Sequence, residues 1–188
     1  MANISIIVGS LRRDSINLKI AKALIHLAEQ EKLPHQLKLV DIAGLPLYNE
    51  DLWEDIPDSV IDFKNTIKNS DALLLVTPEY NRSVPSPLKN ALDWGSRPNK
   101  DNSWDNKPVA MLGASPGQLG TAVAQSHLRV ILMTLNTRLM AQPEIYLKFE
   151  DGMINDSNEI ASERTRQYLL KFLNKFNEWM KEVGMATD

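Results

Sequence analysis

Residues 72–77 read Ala-Leu-Leu-Leu-Val-Thr, with no polar residue in alternation, and the run stops at Pro78. A strand of that kind is covered on both faces, which requires a parallel sheet enclosed by helices. The rest of the chain supplies the other parts. Residues 4–8 are apolar apart from Ser5 and end at Gly9, and residues 37–42, 109–112 and 144–147 are further short strands. Residues 16–32 follow a helical period, with Ile16, Ile20, Ala23, Leu24 and Leu27 on one face. Ile61, Phe63 and Ile67 mark a short helix, and residues 86–95 and 119–136 are helical as well. The last helix, about 160–183, places Leu169, Phe172, Leu173, Phe176, Met180 and Val183 on one stripe.

Strands alternating with helices imply βαβ units. Five such strands fit a single α/β domain over residues 1–188: a flavodoxin-like, doubly wound, five-stranded parallel sheet of order 2-1-3-4-5. In that arrangement ligands sit beyond the carboxyl ends of the strands, near the switch point. Residues 43–58 form the longest irregular piece and are expected to be a surface loop.

Composition removes several kinds of chemistry. The chain has no cysteine, so disulfides, thiolate zinc sites, iron–sulfur clusters and a cysteine nucleophile are excluded together. Net charge is -3 and the pI about 5.7, with no basic run, so nucleic acid is not an expected partner. The N-terminal apolar stretch is too short for a signal peptide or a membrane span. A soluble, cytoplasmic protein without a membrane partner is the expectation. His26, His35 and His127 lie far apart and form no metal-ligand spacing. The acidic residues Glu50, Asp51, Glu54, Asp55 and Asp58 lack the glycine and spacing of a calcium loop and read as solvated. No paired carboxylates suggest glycosidase work, and no GxSxG elbow is present.

The three most unusual segments fall after the first, third and fourth strands. Residues 9–17, GSLRRDSIN, join a strand to a helix N-terminus, whose free N–H groups and dipole favour a phosphate. Ser10, Ser15 and Asn17 add short neutral donors, and Arg12 or Arg13 adds charge-assisted bonds. The loop has neither a Walker lysine nor GxGxxG, so a terminal monophosphate suits it better than a dinucleotide. The plainer alternative is a capped helix, with Ser15 or Asp14 as N-cap. Residues 77–94 carry Pro78, Pro85 and Pro87 after the buried strand, which stiffens the loop. Tyr80 can wall off a planar ring there, while Trp94 is expected in the core of the following helix. In residues 113–120, Gly113, Gly117 and Gly120 let the backbone approach a ligand.

Together GSLRRDSIN, PEYNRSVPSPLKNALDW and GASPGQLGT, in this order and separation, resemble the NAD(P)H-dependent FMN reductase family, which includes quinone, chromate and azo-dye reductases. The resemblance runs from residue 4 to about 147. It implies that Ser10, Arg12, Ser15 and Asn17, with Ile16 among them, hold the FMN phosphate. It implies that Pro78, Glu79, Tyr80, Asn81 and Ser83 line the ribityl chain and ring edge, and that Ser115 and Gly117 close the other side. The activity implied is transfer of a hydride or two electrons from NADPH or NADH through FMN to a small acceptor: a quinone, free flavin, azo dye or chromate. No catalytic side chain is demanded. A homodimer or homotetramer is implied, with residues 45–52 by the site or the dimer contact. Val123 and Ser126 replace an arginine and a tyrosine that in some members bond a glutamate across subunits, leaving Glu144 without those partners. A flavodoxin-type electron carrier, with FMN but no direct NAD(P)H oxidation, is the alternative. Such carriers tend to be more acidic and to have a threonine-rich phosphate loop. A flavin-binding regulatory protein without turnover is a third reading.

Overall fold

The computed structural model describes residues 1–184. Six strands and five helices follow in chain order: β1 (Ala2–Val8), α1 (Ile16–Gln30), β2 (His35–Val40), α2 (Asp58–Asn69), β3 (Ala72–Val76), α3 (Ser86–Gly95), β4 (Pro108–Ser115), α4 (Ala122–Thr134), β5 (Arg138–Leu139), β6 (Tyr146–Lys148) and α5 (Glu163–Glu182). The strands run parallel in the order β2-β1-β3-β4-β5, and β6 also pairs with β4. This is the flavodoxin-like sheet that the pattern predicts.

The period-2 pleat explains why the central strands have no polar face. Ile4, Ile6, Val8, Leu74, Val76, Ala110 and Leu112 point to one side and pack with α1 and α5. Ile7, Leu73, Leu75, Val109 and Met111 point to the other and pack with α2, α3 and α4. All five residues of β3 are buried. Ser5 is the polar interruption in β1. Its hydroxyl lies 2.6 Å from Ser70 Oγ, which in turn donates to the Thr66 carbonyl at 2.6 Å, so Ser5 donates and loses no hydrogen bond on burial.

The fifth lane departs from expectation. It is shared by two short strands: β5 pairs with the start of β4, at Pro108 and Val109, and β6 with its end, at residues 113–115. Pro143 lies between them and has no N–H to give the ladder, so one continuous strand does not form.

The 43–58 loop is pinned, not free. Pro46 O accepts from Trp94 Nε1 and from Asn90 Nδ2, both at 2.8 Å. Tyr48 and Trp53, the latter in a 3-10 turn (Glu50–Trp53), meet the buried Trp94 ring edge-on at 4.9 and 5.2 Å. Trp94 is therefore a core residue, as expected, and plays no part in the crevice. One feature escapes any sequence pattern: Lys64, on α2, is buried. Its ammonium donates to the carbonyls of Gly95, Arg97 and Asp101 and pairs with the Asp101 carboxylate at 3.3 Å, fastening residues 95–101 to α2. Burial pulls its pKa below 10.5, with Asp101 opposing the shift.

Candidate functional site

The loops after β1, β3 and β4 meet at the carboxyl edge of the sheet and enclose a crevice of about 160 Å³. Ser10, Arg12, Ser15, Ile16, Asn17, Pro78, Glu79, Tyr80 and Ser115 line it. Ala114 and Pro116, which carry no side-chain donor to mark them in the sequence, line it too. Asn81, Ser83 and Gly117 stand outside the lining.

At the first loop, Ser15 is the N-cap of α1 and its hydroxyl accepts from Leu18 N at 3.3 Å. Of the two capping candidates it is Ser15, not Asp14, that caps. Its cap leaves the N–H groups of Ile16 and Asn17, the first two of the helix, without an acceptor among the described residues. The Asn17 side chain is not a free donor aimed outward. It is buried and stitches α1 to β4: Nδ2 donates to Ala114 O and Oδ1 accepts from Ala114 N, both at 2.9 Å. Ser10 accepts from Arg12 N at 3.3 Å, and the Arg12 side chain is exposed.

At the second loop, residues 80–83 make a two-residue turn with Asn81 and Arg82 at φ 50 and 60. Tyr80 N donates to Ser83 O at 3.1 Å, and Ser83 N to Tyr80 O at 3.0 Å. Positive φ at both central positions defines the mirror-image hairpin turn, which asparagine tolerates well. Glu79 anchors this turn to α4. Its Oε2 accepts from Val123 N and Ala124 N, both at 3.0 Å, and Oε1 accepts from Arg82 at 3.2 Å. Thr121 precedes α4 but makes no side-chain cap bond, so Glu79 supplies the acceptor and the negative charge that a helix N-terminus favours. Ser83 Oγ lies 3.0 Å from His127 Nδ1 on the next turn of the same helix.

At the third loop, Ser115 Oγ donates to Gly120 O at 2.6 Å and accepts from Gly117 N at 3.2 Å, closing residues 115–120 on themselves. Behind the crevice Gly113 makes the closest approach in the site. A Cβ there would lie 2.1 Å from Thr121 Oγ1 and 2.2 Å from the Thr77 carbonyl.

Glu144 is not left unpaired. Arg129 of the same chain pairs with it at 2.9 Å. Tyr146 beside them has its hydroxyl pKa raised, first by burial and then by Glu144.

The donor set suits a phosphomonoester with a planar group attached. Two residues with unpartnered N–H groups at a helix start, a serine and an exposed arginine line one crevice, and a stiff turn with an aromatic rim stands beside it. Fold and crevice together define a flavodoxin-like, mononucleotide-binding α/β protein. The family model for NADPH-dependent FMN reductase matches residues 2–151, and the chain belongs to that family. It is 48% identical over 179 residues to a 2-hydroxy-1,4-benzoquinone reductase of a Burkholderia species, covering 95% of this chain and 96% of that protein. It is 42% identical over 180 residues to a quinone reductase of Pseudomonas putida, covering 95% of each. Among solved structures, the flavoenzyme NAD(P)H:(acceptor) oxidoreductase FerB from Paracoccus denitrificans superposes with a TM-score of 0.92 at 41% identity, covering 97% of this chain and 98% of that one. The protein is an FMN-dependent oxidoreductase driven by NAD(P)H, and nothing in these likenesses favours an electron carrier.

Proposed function

We propose that FMN is held in the crevice after β1, β3 and β4, and that the electron acceptor is a small quinone. The observation that carries the site assignment is the pair of unpartnered N–H groups at Ile16 and Asn17, two residues that line the same crevice as Ser10 and Arg12. The names of the two relatives at 48% and 42% identity support the acceptor class.

FMN, when bound, relays two electrons from the reduced nicotinamide to the acceptor. The chain's own residues bind and orient. The α1 N-terminus, Ser10 and Arg12 would hold the phosphate, with Ser15 and Asn17 keeping that helix start in place. Pro78 and Tyr80 would line the ribityl chain and ring. The N–H groups of Asn81 and Arg82, unpartnered among the described residues, are available to a ring edge that extends past the turn. Tyr80, 47% exposed at the rim, offers a flat apolar wall. Ser83 and Gly117 would act through the turn and the loop that they shape. No side-chain acid or base is needed for the electron transfer.

The phosphate assignment is best tested at Ser10 and Arg12, because alanine at Ser15 or Asn17 would disturb the helix start itself. The Ser10→Ala, Arg12→Ala double variant is expected to bind FMN about ten- to a hundredfold more weakly, for one neutral and one charged hydrogen bond lost. Isothermal titration of apoprotein with FMN measures this, and the far-ultraviolet dichroism should not change. Wild-type affinity would remove the cradle. For the acceptor, initial rates at fixed NADPH with benzoquinone, free FMN and an azo dye should rank the quinone highest in kcat/KM by at least about tenfold, 1.4 kcal/mol of transition-state preference. An equal ranking would contradict a quinone-selective site.

We also propose a homodimer or homotetramer assembled through the outer face of α4. Val130 and Met133 on that helix are 65% and 73% exposed, and Leu119 just before it is 56% exposed. In size-exclusion chromatography with light scattering, the Val130→Glu, Met133→Glu variant should move toward the 21.2 kDa monomer. A wild-type protein that is already monomeric would contradict this. No helix among the described residues is long and apolar enough to cross a membrane. A cytoplasmic setting, where reduced nicotinamide is regenerated, fits a cysteine-free reductase.

A further inference from the structure

A second concavity, of about 910 Å³, lies one strand lane away from the crevice, between β6 with its following loop and the first three turns of α5. Arg164, Tyr168 and Lys171 line it from α5, at i, i+4 and i+7, a spacing that puts all three on one helix face. Lys148 lines it from β6, which pairs with the end of β4, so it projects from the strand beside Ser115. Adjacent strands are about 4.8 Å apart, so the groove begins within a few ångströms of the loop that borders the FMN crevice. Gln118, in that same 115–120 loop, forms its near wall.

The charge of this groove runs against that of the whole chain. Lys148, Arg164 and Lys171 face Glu150 alone, in a protein of net charge -3. Lys148 is engaged with Glu150 at 2.9 Å, while Arg164 and Lys171 are exposed and meet no acidic side chain at ion-pair distance among the described residues. A guanidinium and an ammonium converging on one hollow form a site for a doubly charged phosphate. Between them the Tyr168 ring is 43% exposed, held by its hydroxyl donating to Glu144 O at 3.3 Å, and Leu147 and Met153 give an apolar floor. An aromatic face beside two free cations is the chemistry of a purine nucleotide with a phosphate on its ribose.

We infer that this groove seats the 2′-phosphoadenosine end of NADPH and makes the enzyme prefer NADPH to NADH. This deepens the NAD(P)H reductase reading and rests on it. The nicotinamide end then reaches across the 115–120 loop to the FMN crevice. The same cations are able to hold the diphosphate shared by both dinucleotides, and the two sources are separable by experiment.

The variant is Arg164→Gln, Lys171→Gln, whose two positions are exposed and belong to no part of the FMN crevice. Its KM for NADPH should rise at least tenfold with kcat and the KM for NADH unchanged. In calorimetry on the FMN-loaded protein, wild type should bind adenosine 2′,5′-bisphosphate at least tenfold more tightly than 5′-AMP, and the variant should lose that difference. An equal rise in KM for both dinucleotides would place the shared diphosphate there and overturn the 2′-phosphate assignment. Unchanged KM values with normal turnover would overturn the groove altogether and leave the reductase reading intact. Absence of turnover with either dinucleotide in the wild type would strike the reductase reading, while the calorimetry would still decide the groove.

Discussion

Gly113→Ala is expected to lower stability by about 3 kcal/mol or more, at or above the top of the usual range for overpacking a core. The added Cβ would stand 2.1 Å from Thr121 Oγ1 and 2.2 Å from the Thr77 carbonyl oxygen. Neither neighbour can give way cheaply. Thr77 is fully buried at the end of β3, and its N–H is bonded to Leu112 O at 3.0 Å. Thr121 is fully buried and accepts from Gln125 Nε2 at 2.9 Å, and Gln125 donates from the same nitrogen to Ile145 O. The methyl group would wedge apart the end of β3, from which the second loop departs, and the start of α4, to which Glu79 anchors that loop. A denaturant series read by dichroism should show the midpoint collapse, with a thermal midpoint lower by about 10 °C. Gly117→Ala is the control. Its nearest contact would be Ser115 Oγ at 3.6 Å, so stability should stay within about 0.5 kcal/mol of wild type. Equal behaviour of the two variants would contradict the packing described for the back of the crevice.

Glu79→Ala is expected to cost about 2–4 kcal/mol and to weaken FMN binding on the order of tenfold. The stability loss follows from two backbone donors, Val123 N and Ala124 N, which share Glu79 Oε2 and have no alternative cap, since the Thr121 hydroxyl is occupied by Gln125. The Arg82 pair adds little, because that guanidinium is 68% exposed. The binding loss follows from release of the 80–83 turn, whose two positive-φ residues hold their conformation only while the turn is anchored. Glu79→Gln, which keeps an acceptor without the charge, should lose only about 1 kcal/mol. Hydrogen exchange at Val123 and Ala124 would report the cap directly: faster exchange in the alanine variant is expected, and unchanged exchange would show that the cap carries no weight.

What the sequence shows and what it hides divide along a physical line. Strand β3 and helix α3 are legible because their signals are local: an unbroken apolar run stopped by Pro78, and a helix that begins with a proline in its first turn. Strand–helix alternation implies a parallel sheet, and five strands fit the order that is found. The split fifth lane is harder to read, because a short apolar run such as residues 144–147 does not say how far it pairs. Within the site, residue types in the three loops point to the carboxyl edge of the sheet, where most of them line one crevice, but not to the task of each side chain. Asn17 reads as a phosphate donor and proves to be a stitch between α1 and β4, since its partner Ala114 lies 97 residues away. Glu79 reads as a ring-edge residue, and its acceptor oxygen caps a helix that starts more than forty residues later. Lys64 has the spacing of an ordinary surface lysine, and only the returning carbonyls of residues 95–101 draw it inside. Long-range hydrogen bonds leave no local pattern in the sequence, and each of these three roles depends on one.

The most direct test of the FMN-reductase account is anaerobic addition of NADPH to the FMN-loaded protein, with the visible flavin absorption followed in a stopped-flow cell. Rapid bleaching of the bound flavin is expected at one equivalent of NADPH, with full return of the absorption when benzoquinone is added. Flavin that stays oxidised in the presence of both NADPH and NADH would contradict it.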